Sequence, residues 1–217
     1  MRIGRILLIF FAVVGFSGIA EAGLVVIGTA TYSGRDYNLI YEDDQGLIWL
    51  DYSNTMSGNW MDLKKWAADL NVAGVLTYKL NSGVKVSWNG DWRLPKTVDG
   101  KRTWGYEGTT TAGCNIETSE MGHLYYKSLG NLGYHDISGK LRTGWGDAAA
   151  WGLKNKGPFT KLYPESYWSG TEYSMYTEHA WAFNFAFGTQ SNMAFKHLGV
   201  YSAVAVRPGK VIKSSAQ

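Results

Sequence analysis

At 217 residues, with a formal net charge of +3 and one cysteine, the chain has the length of one domain, too little charge to track a nucleic-acid backbone, and no means of closing an intramolecular disulfide. Its densest basic segments, Lys64-Lys65 and Lys210 to Lys213, read as solvated surface, so no nucleic acid is implied as a partner. Ten Trp, fourteen Tyr and eight Phe supply the buried area that must hold such a chain together, and 27 Gly against 4 Pro means turns made mainly with glycine.

Residues 1–22 read as a signal peptide. Arg2 and Arg5 precede the apolar run Ile6 to Gly15, and Ala20-Glu21-Ala22 is a small-x-small cleavage site that leaves Gly23 first. An uncleaved anchor is the competing reading, but Gly15, Ser17, Gly18 and Glu21 leave the run short of the roughly 20 residues a span needs. No stable membrane anchor is expected after cleavage, and no Cys follows the site as a lipoprotein requires. Residues 23–209 are then one domain and residues 210–217 a flexible polar tail.

Within the domain, Leu24 to Thr31 suits a first strand, and Tyr37 to Tyr41 and Leu47 to Leu50 flank the turn-rich Glu42-Asp43-Asp44-Gln45-Gly46 as a hairpin. Trp60, Leu63, Ala67 and Leu70 recur at helical spacing, with Ser57 or Asn59 as cap. A second helix is predicted from Glu120 to about Leu129, capped by Thr118 or Ser119, striped by Met121, Leu124, Tyr125 and Leu129, and stopped by Gly130. From Asn131 to Glu165 no period is sustained, and the interspersed Tyr134, Trp145, Trp151, Phe159 and Tyr163 predict an ordered, packed loop. Trp181, Phe183, Phe185 and Phe187 then alternate with Ala180, Ala182, Asn184 and Ala186, which predicts a strand with aromatics on one face and small residues on the other. A turn is expected over Gly188 to Asn192, a return strand over Met193 to Lys196 and a closing strand over Ala203 to Arg207.

Three islands carry a family resemblance: Gly90-Asp91-Trp92-Arg93-Leu94-Pro95, Tyr167-Trp168-Ser169-Gly170-Thr171-Glu172 with the following Ala180-Trp181 and Phe185, and Ala205-Val206-Arg207-Pro208-Gly209. In this order and spacing they resemble the DUF1566 family, also called the Lcl C-terminal domain, a bacterial branch of the C-type-lectin-like superfold, over about Asp36 to Arg207. The resemblance implies an α+β fold, two helices packed on antiparallel sheets with a long irregular loop region. One departure is the polar Thr- and Gly-rich segment Lys96 to Glu117, where many members pass straight into the second helix. The wider superfamily spans sugar-binding proteins, adhesins, phage receptor-binding proteins and, on a related scaffold, formylglycine-generating and iron-dependent sulfoxide-forming enzymes. Fold alone therefore does not fix function.

Catalytic motifs are missing. Formylglycine chemistry needs a cysteine pair where this chain has Cys114 alone, and His123, His135, His179 and His197 are scattered without metal-ligand spacing. No zinc-protease, nucleophile-elbow or phosphate-loop pattern occurs outside residues 1–22. Glu42, Asp43, Asp44 and Asp51, and separately Glu172, Glu178 and Asn184, offer oxygens for calcium, but neither set has a defined loop spacing, and they read as turn formers and strand ends. The Glu-Pro-Asn and Trp-Asn-Asp signatures of calcium-dependent lectins are missing, so no metal and no cofactor is assigned.

Arg93 and Arg207 read as ties between loops and carboxylates, Asp91 among them, with anion contact as the alternative. Trp92, Trp168 and Trp181 read as core, with sugar stacking as the alternative, and together with Pro95 and the two arginines they form a structural signature. Aromatics in irregular chain, namely Trp104, Tyr106, Tyr134, Trp145, Trp151, Tyr173 and Tyr176, are the ligand-binding candidates, Trp145, Trp151 and Tyr173 foremost, then Tyr176 and Trp104. The expectation is an exported, non-catalytic binding module for a glycan or protein ligand. The alternatives are a self-associating envelope or extracellular protein and an enzyme built from dispersed carboxylates.

Overall fold

The computed structural model describes residues 23–144, 148–198 and 201–213; the predicted signal peptide, Trp145 and the last four residues lie outside the described set. Eleven strands lie there in chain order: β1 (Leu24–Tyr32), β2 (Arg35–Glu42), β3 (Leu47–Gly58), β4 (Leu76–Leu80), β5 (Val84–Trp88), β6 (Trp104–Gly105), β7 (Ala112–Cys114), β8 (Ser166–Glu172), β9 (His179–Asn184), β10 (Thr189–Phe195) and β11 (Tyr201–Lys213). Helix α1 (Trp60–Asp69) follows β3, and α2 (Glu120–His123) follows β7. The fold is α+β. Its sheet runs β4-β1-β2-β3-β11-β8-β9-β10-β7-β6, with β5 also paired to β11. It is mixed where antiparallel sheets are expected, because β8 lies parallel to β11 and β6 parallel to β7.

Alternation decides which layer each side chain enters. On one face Leu39, Ile48, Leu50, Trp168, Ala182, Ala203 and Ala205 pack with Trp60, Leu63, Ala67 and Leu70 of the first helical segment. On the other, Ile40, Trp49, Tyr167, Phe183, Val204 and Val206 pack with Met121, Leu124, Tyr125 and Leu129 and with Phe159 and Leu162 of the long loop. Small residues on the first face let α1 sit close, and large rings fill the second. At about 25 cal/mol per Å² of apolar surface removed from water, rings of this size are the main stabilising contribution.

Asn59 caps α1 by accepting from Asp62 N at 2.9 Å. Ser119 caps α2, accepting from Gly122 N at 3.1 Å. The predicted second helix changes pitch, however. After His123 the chain widens into a π-helical turn, Leu124–Ser128, closed by Leu129 N donating to Leu124 O at 2.9 Å. The apolar stripe fits either pitch, so the change leaves no mark on it.

Three elements differ from the sequence reading. The turn after β9 comes at residues 185–188, because Asn184 folds back on itself: its Oδ1 accepts from Ala186 N and Phe187 N, its backbone O accepts from Gly188 N at 2.8 Å, and Gly188 takes the φ of +65° that closes the turn. Phe187 thereby leaves the aromatic face. Residues 210–213, expected in a flexible tail, continue β11 and pair with Val84 to Ser87 of β5. Strands β4 and β5 themselves come from a stretch to which the sequence reading assigns no element. Among the described residues no helix is long and apolar enough to cross a membrane.

Candidate ligand-binding surface

The signature islands meet at one junction. Pro95 O accepts from Ser169 Oγ at 2.9 Å and from Gly170 N at 2.7 Å, while Ser169 O accepts from the indole of Trp60 at 2.7 Å. Arg93 joins β11 through a backbone bridge to Val206 and spans to Glu120 Oε1 and Oε2, each at 2.7 Å. Its carboxylate is therefore Glu120 rather than the exposed Asp91. Trp92, wholly buried, donates from Nε1 to Tyr78 OH at 2.7 Å, and Trp168 donates to Gly58 O. Arg207 lies over the Trp88 ring at 4.3 Å and donates to Gly90 O at 2.7 Å. Each of these side chains is consumed in tying strand to loop. A cleft of about 230 Å³ beside the junction is lined by Lys64, Trp92, Arg93, Leu94, Lys96 and Gly170, and its titratable groups are all cationic.

A second assembly lies at the far end of the sheet. Trp181 is buried on β9 and donates from Nε1 to Asp99 Oδ1 at 2.8 Å. Burial alone would raise the Asp99 pKa, but hydrogen bonds from Ser174, Trp181 and Gly100 outweigh it and hold the carboxyl below its ordinary range. Tyr173 stands edge-on to Trp181 at 5.5 Å, and its hydroxyl accepts from Arg102 N. The Arg102 guanidinium lies 5.5 Å from the Trp104 ring, and the Tyr176 ring 5.9 Å from that of Tyr173. Trp104 is 41% exposed and Tyr176 67%.

Glycine sets this edge. Gly113 of β7 has φ +120°, and a Cβ there would sit 1.8 Å from Gly105 O, so only glycine lets β6 dock and hold Trp104 at the margin. From Trp104 a chain of ring contacts runs inward through Tyr106, His135 and Tyr134 to Trp151, which stacks on Phe187 at 5.7 Å.

The predicted ligand residues thus divide. Trp104 and Tyr173 both meet Arg102 and Tyr176 packs on Tyr173, whereas Trp151 stands apart and Trp145 lies outside the described residues. Trp151, 8% exposed, donates its indole N–H to Gly144 O at 3.1 Å, and Tyr173 is 5% exposed. Both are interior because the loops that carry them fold their rings onto the sheet. Arg102 and Asp99 were not singled out by sequence; a Lys-Arg pair two residues before an exposed-loop Trp was the available signal.

The first hairpin holds a further polar group. Glu42 is wholly buried at the end of β2, where its carboxylate accepts from Trp49 Nε1 at 2.7 Å, from Gln45 Nε2 at 2.8 Å and from Ser128 Oγ. Burial pushes its pKa up, against the pull of those hydrogen bonds. His123 Nε2 meets Asp44 Oδ2 beside it. Cys114, also buried, lies 3.6 Å from His135 Nδ1, and burial pushes its thiol up to about 11. Comparison with protein-family models, with curated proteins and with solved structures finds no match to this chain.

Proposed function

We propose that this chain is an exported, non-catalytic binding module with a C-type-lectin-like fold of the DUF1566 kind, and that its ligand, a glycan, lies across Trp104, Arg102 and Tyr176. The observation that carries the reading is that two exposed rings are linked through Arg102 and Tyr173: the Arg102 guanidinium lies over the Trp104 ring, Arg102 N donates to the hydroxyl of buried Tyr173, and Tyr176 packs against Tyr173. Rings held this way offer stacking area to the C–H face of a sugar with little side-chain entropy left to lose, and Arg102 adds donors for hydroxyl or carboxylate oxygens. The meeting of the three signature islands at one junction supports the family reading. The signal-peptide pattern of residues 1–22 supports export.

The test is a glycan array probed with the purified protein in calcium and in chelator. The expected result is a saturable hit that survives chelation and weakens at least tenfold in Trp104→Ala and in Tyr176→Ala. Binding that is indifferent to both substitutions would refute the surface.

Self-association is a second reading, favoured by the exposed apolar side chains Met193 and Phe195 of β10 and Met175 and Leu198 of the adjoining turns. It requires concentration-dependent mass in light scattering, abolished by Phe195→Ser; a monomer at all concentrations would discard it.

A further inference from the structure

Glu42, Asp44 and His123 each offer one ligand atom, and these three atoms lie within 4.8 Å of one another. They come from different elements. Glu42 ends β2, Asp44 sits in the hairpin turn with its Oδ1 held by Gln45 N at 3.0 Å, and His123 is the last residue of α2. The π-helical turn that follows His123 has a role here. With i to i+5 spacing it brings Ser128 round to the side of the helix that His123 occupies, so that both face the hairpin.

The surroundings resemble those of a metal ligand set. Glu42 is fixed by the indole of Trp49, the amide of Gln45 and the hydroxyl of Ser128, the kind of outer hydrogen bonds that orient a coordinating carboxylate. Two carboxylates face one imidazole, so the set offers more negative than positive charge to an incoming cation. Asp44 and His123 keep side-chain exposures of 32% and 25%, which leaves the outer side open to water ligands.

We propose that Glu42, Asp44 and His123 form a three-ligand site for a divalent transition-metal ion, clamping the first hairpin to the second helix. One imidazole nitrogen with two carboxylates suits Zn²⁺, Co²⁺ or Mn²⁺, whereas Ca²⁺ wants six to eight oxygens. Bonds of about 2.0–2.2 Å put ligand atoms roughly 3–4 Å apart. On binding, the Asp44–His123 hydrogen bond is exchanged for bonds to the ion. This site is independent of the ligand surface around Trp104.

The test uses the untagged protein, stripped with chelator, titrated with Zn²⁺ alone by calorimetry and with Co²⁺ alone by absorption spectroscopy. Expected are one-to-one binding, a visible Co²⁺ band, and a rise in Tm of about 5–10 °C at a hundredfold excess of Zn²⁺ over Kd. His123→Ala and Asp44→Asn, both half-exposed and so compatible with folding by circular dichroism, weaken binding at least tenfold. His197→Ala, at the exposed His197–Glu178 pair, leaves it unchanged. No saturable Zn²⁺ or Co²⁺ binding, binding that follows His197 instead of His123, or a response to Ca²⁺ alone would each overturn the site.

Discussion

Asp51 offers a direct measure of what holds the long irregular segment in place. It is buried on β3, and its two oxygens accept from Thr160 N at 3.0 Å, Thr160 Oγ1 at 2.8 Å and Lys161 N at 2.8 Å. Phe159 and Leu162 enter the second core on either side of that contact, so the carboxylate sets the register in which the loop delivers both side chains. Hydrogen bonds to a charged acceptor contribute about 1.5–3 kcal/mol each, yet Thr160 and Lys161 lie at the surface and water can reach some of the donors once the loop shifts. Asp51→Ala is therefore expected to cost about 2–4 kcal/mol, below the simple sum of its bonds. Asp51→Asn, which keeps the shape but turns an N–H₂ toward one of the backbone donors, should lose about 1–2 kcal/mol. Urea denaturation gives the magnitude, and hydrogen exchange gives the place. The amides of residues 159–163 should exchange faster in the Ala variant while those of the β2–β3 ladder hold. A loss under about 0.5 kcal/mol with unchanged exchange would refute the tether.

Two further outcomes follow from burial. Trp151→Ala and Tyr173→Ala should each cost about 3–5 kcal/mol by denaturant titration, whereas Trp104→Ala and Tyr176→Ala should stay within about 1 kcal/mol; the reverse order would dissolve the division between core and surface rings. The Cys114 thiol, with its folded pKa raised from 9.0 to about 11, should resist Ellman's reagent at pH 8 until the protein is unfolded, and prompt reaction of the native chain would contradict its burial. Because that pKa is raised on folding, the contribution to stability is whole below pH 9.0 and is lost as pH climbs to about 11; Tyr167 behaves alike between 10.0 and about 12. Thermal melts across this range should show wild type losing stability more steeply than Cys114→Ser.

Helix α1 was legible because its apolar spacing, its Asn59 cap and its burial all agree. Strands β4 and β5 were passed over, although Val84, Val86 and Trp88 alternate with Lys85 and Ser87 and a Gly-containing turn precedes them; both are outlying strands with one wet face, so their apolar signal is thin. The segment from 131 to 165 showed no period because side chains satisfy much of its backbone: Asn131 takes Lys154 N and Asn155 N, Asp136 takes Ser138 N and Lys140 N, and Asp51 takes Thr160 N and Lys161 N. Exposed Trp104 and Tyr176 could be picked as loop aromatics, but whether a loop ring faces water or the sheet is a property of the packing. The Glu42, Asp44 and His123 cluster was beyond spacing rules altogether, since 79 residues separate Asp44 from His123.

The last strand is also the middle of the sheet. β11 enters between β3 and β8 and carries β5 on its far half, so among the described residues the early hairpins and the late meander are paired into one sheet only through it. While the chain is being made, neither half can close its open edge, and all of the decisive pairings are distant in sequence. Such an order favours late, cooperative assembly after residue 201 is available. Truncation before β11 would then release two sticky half-sheets instead of a shortened protein.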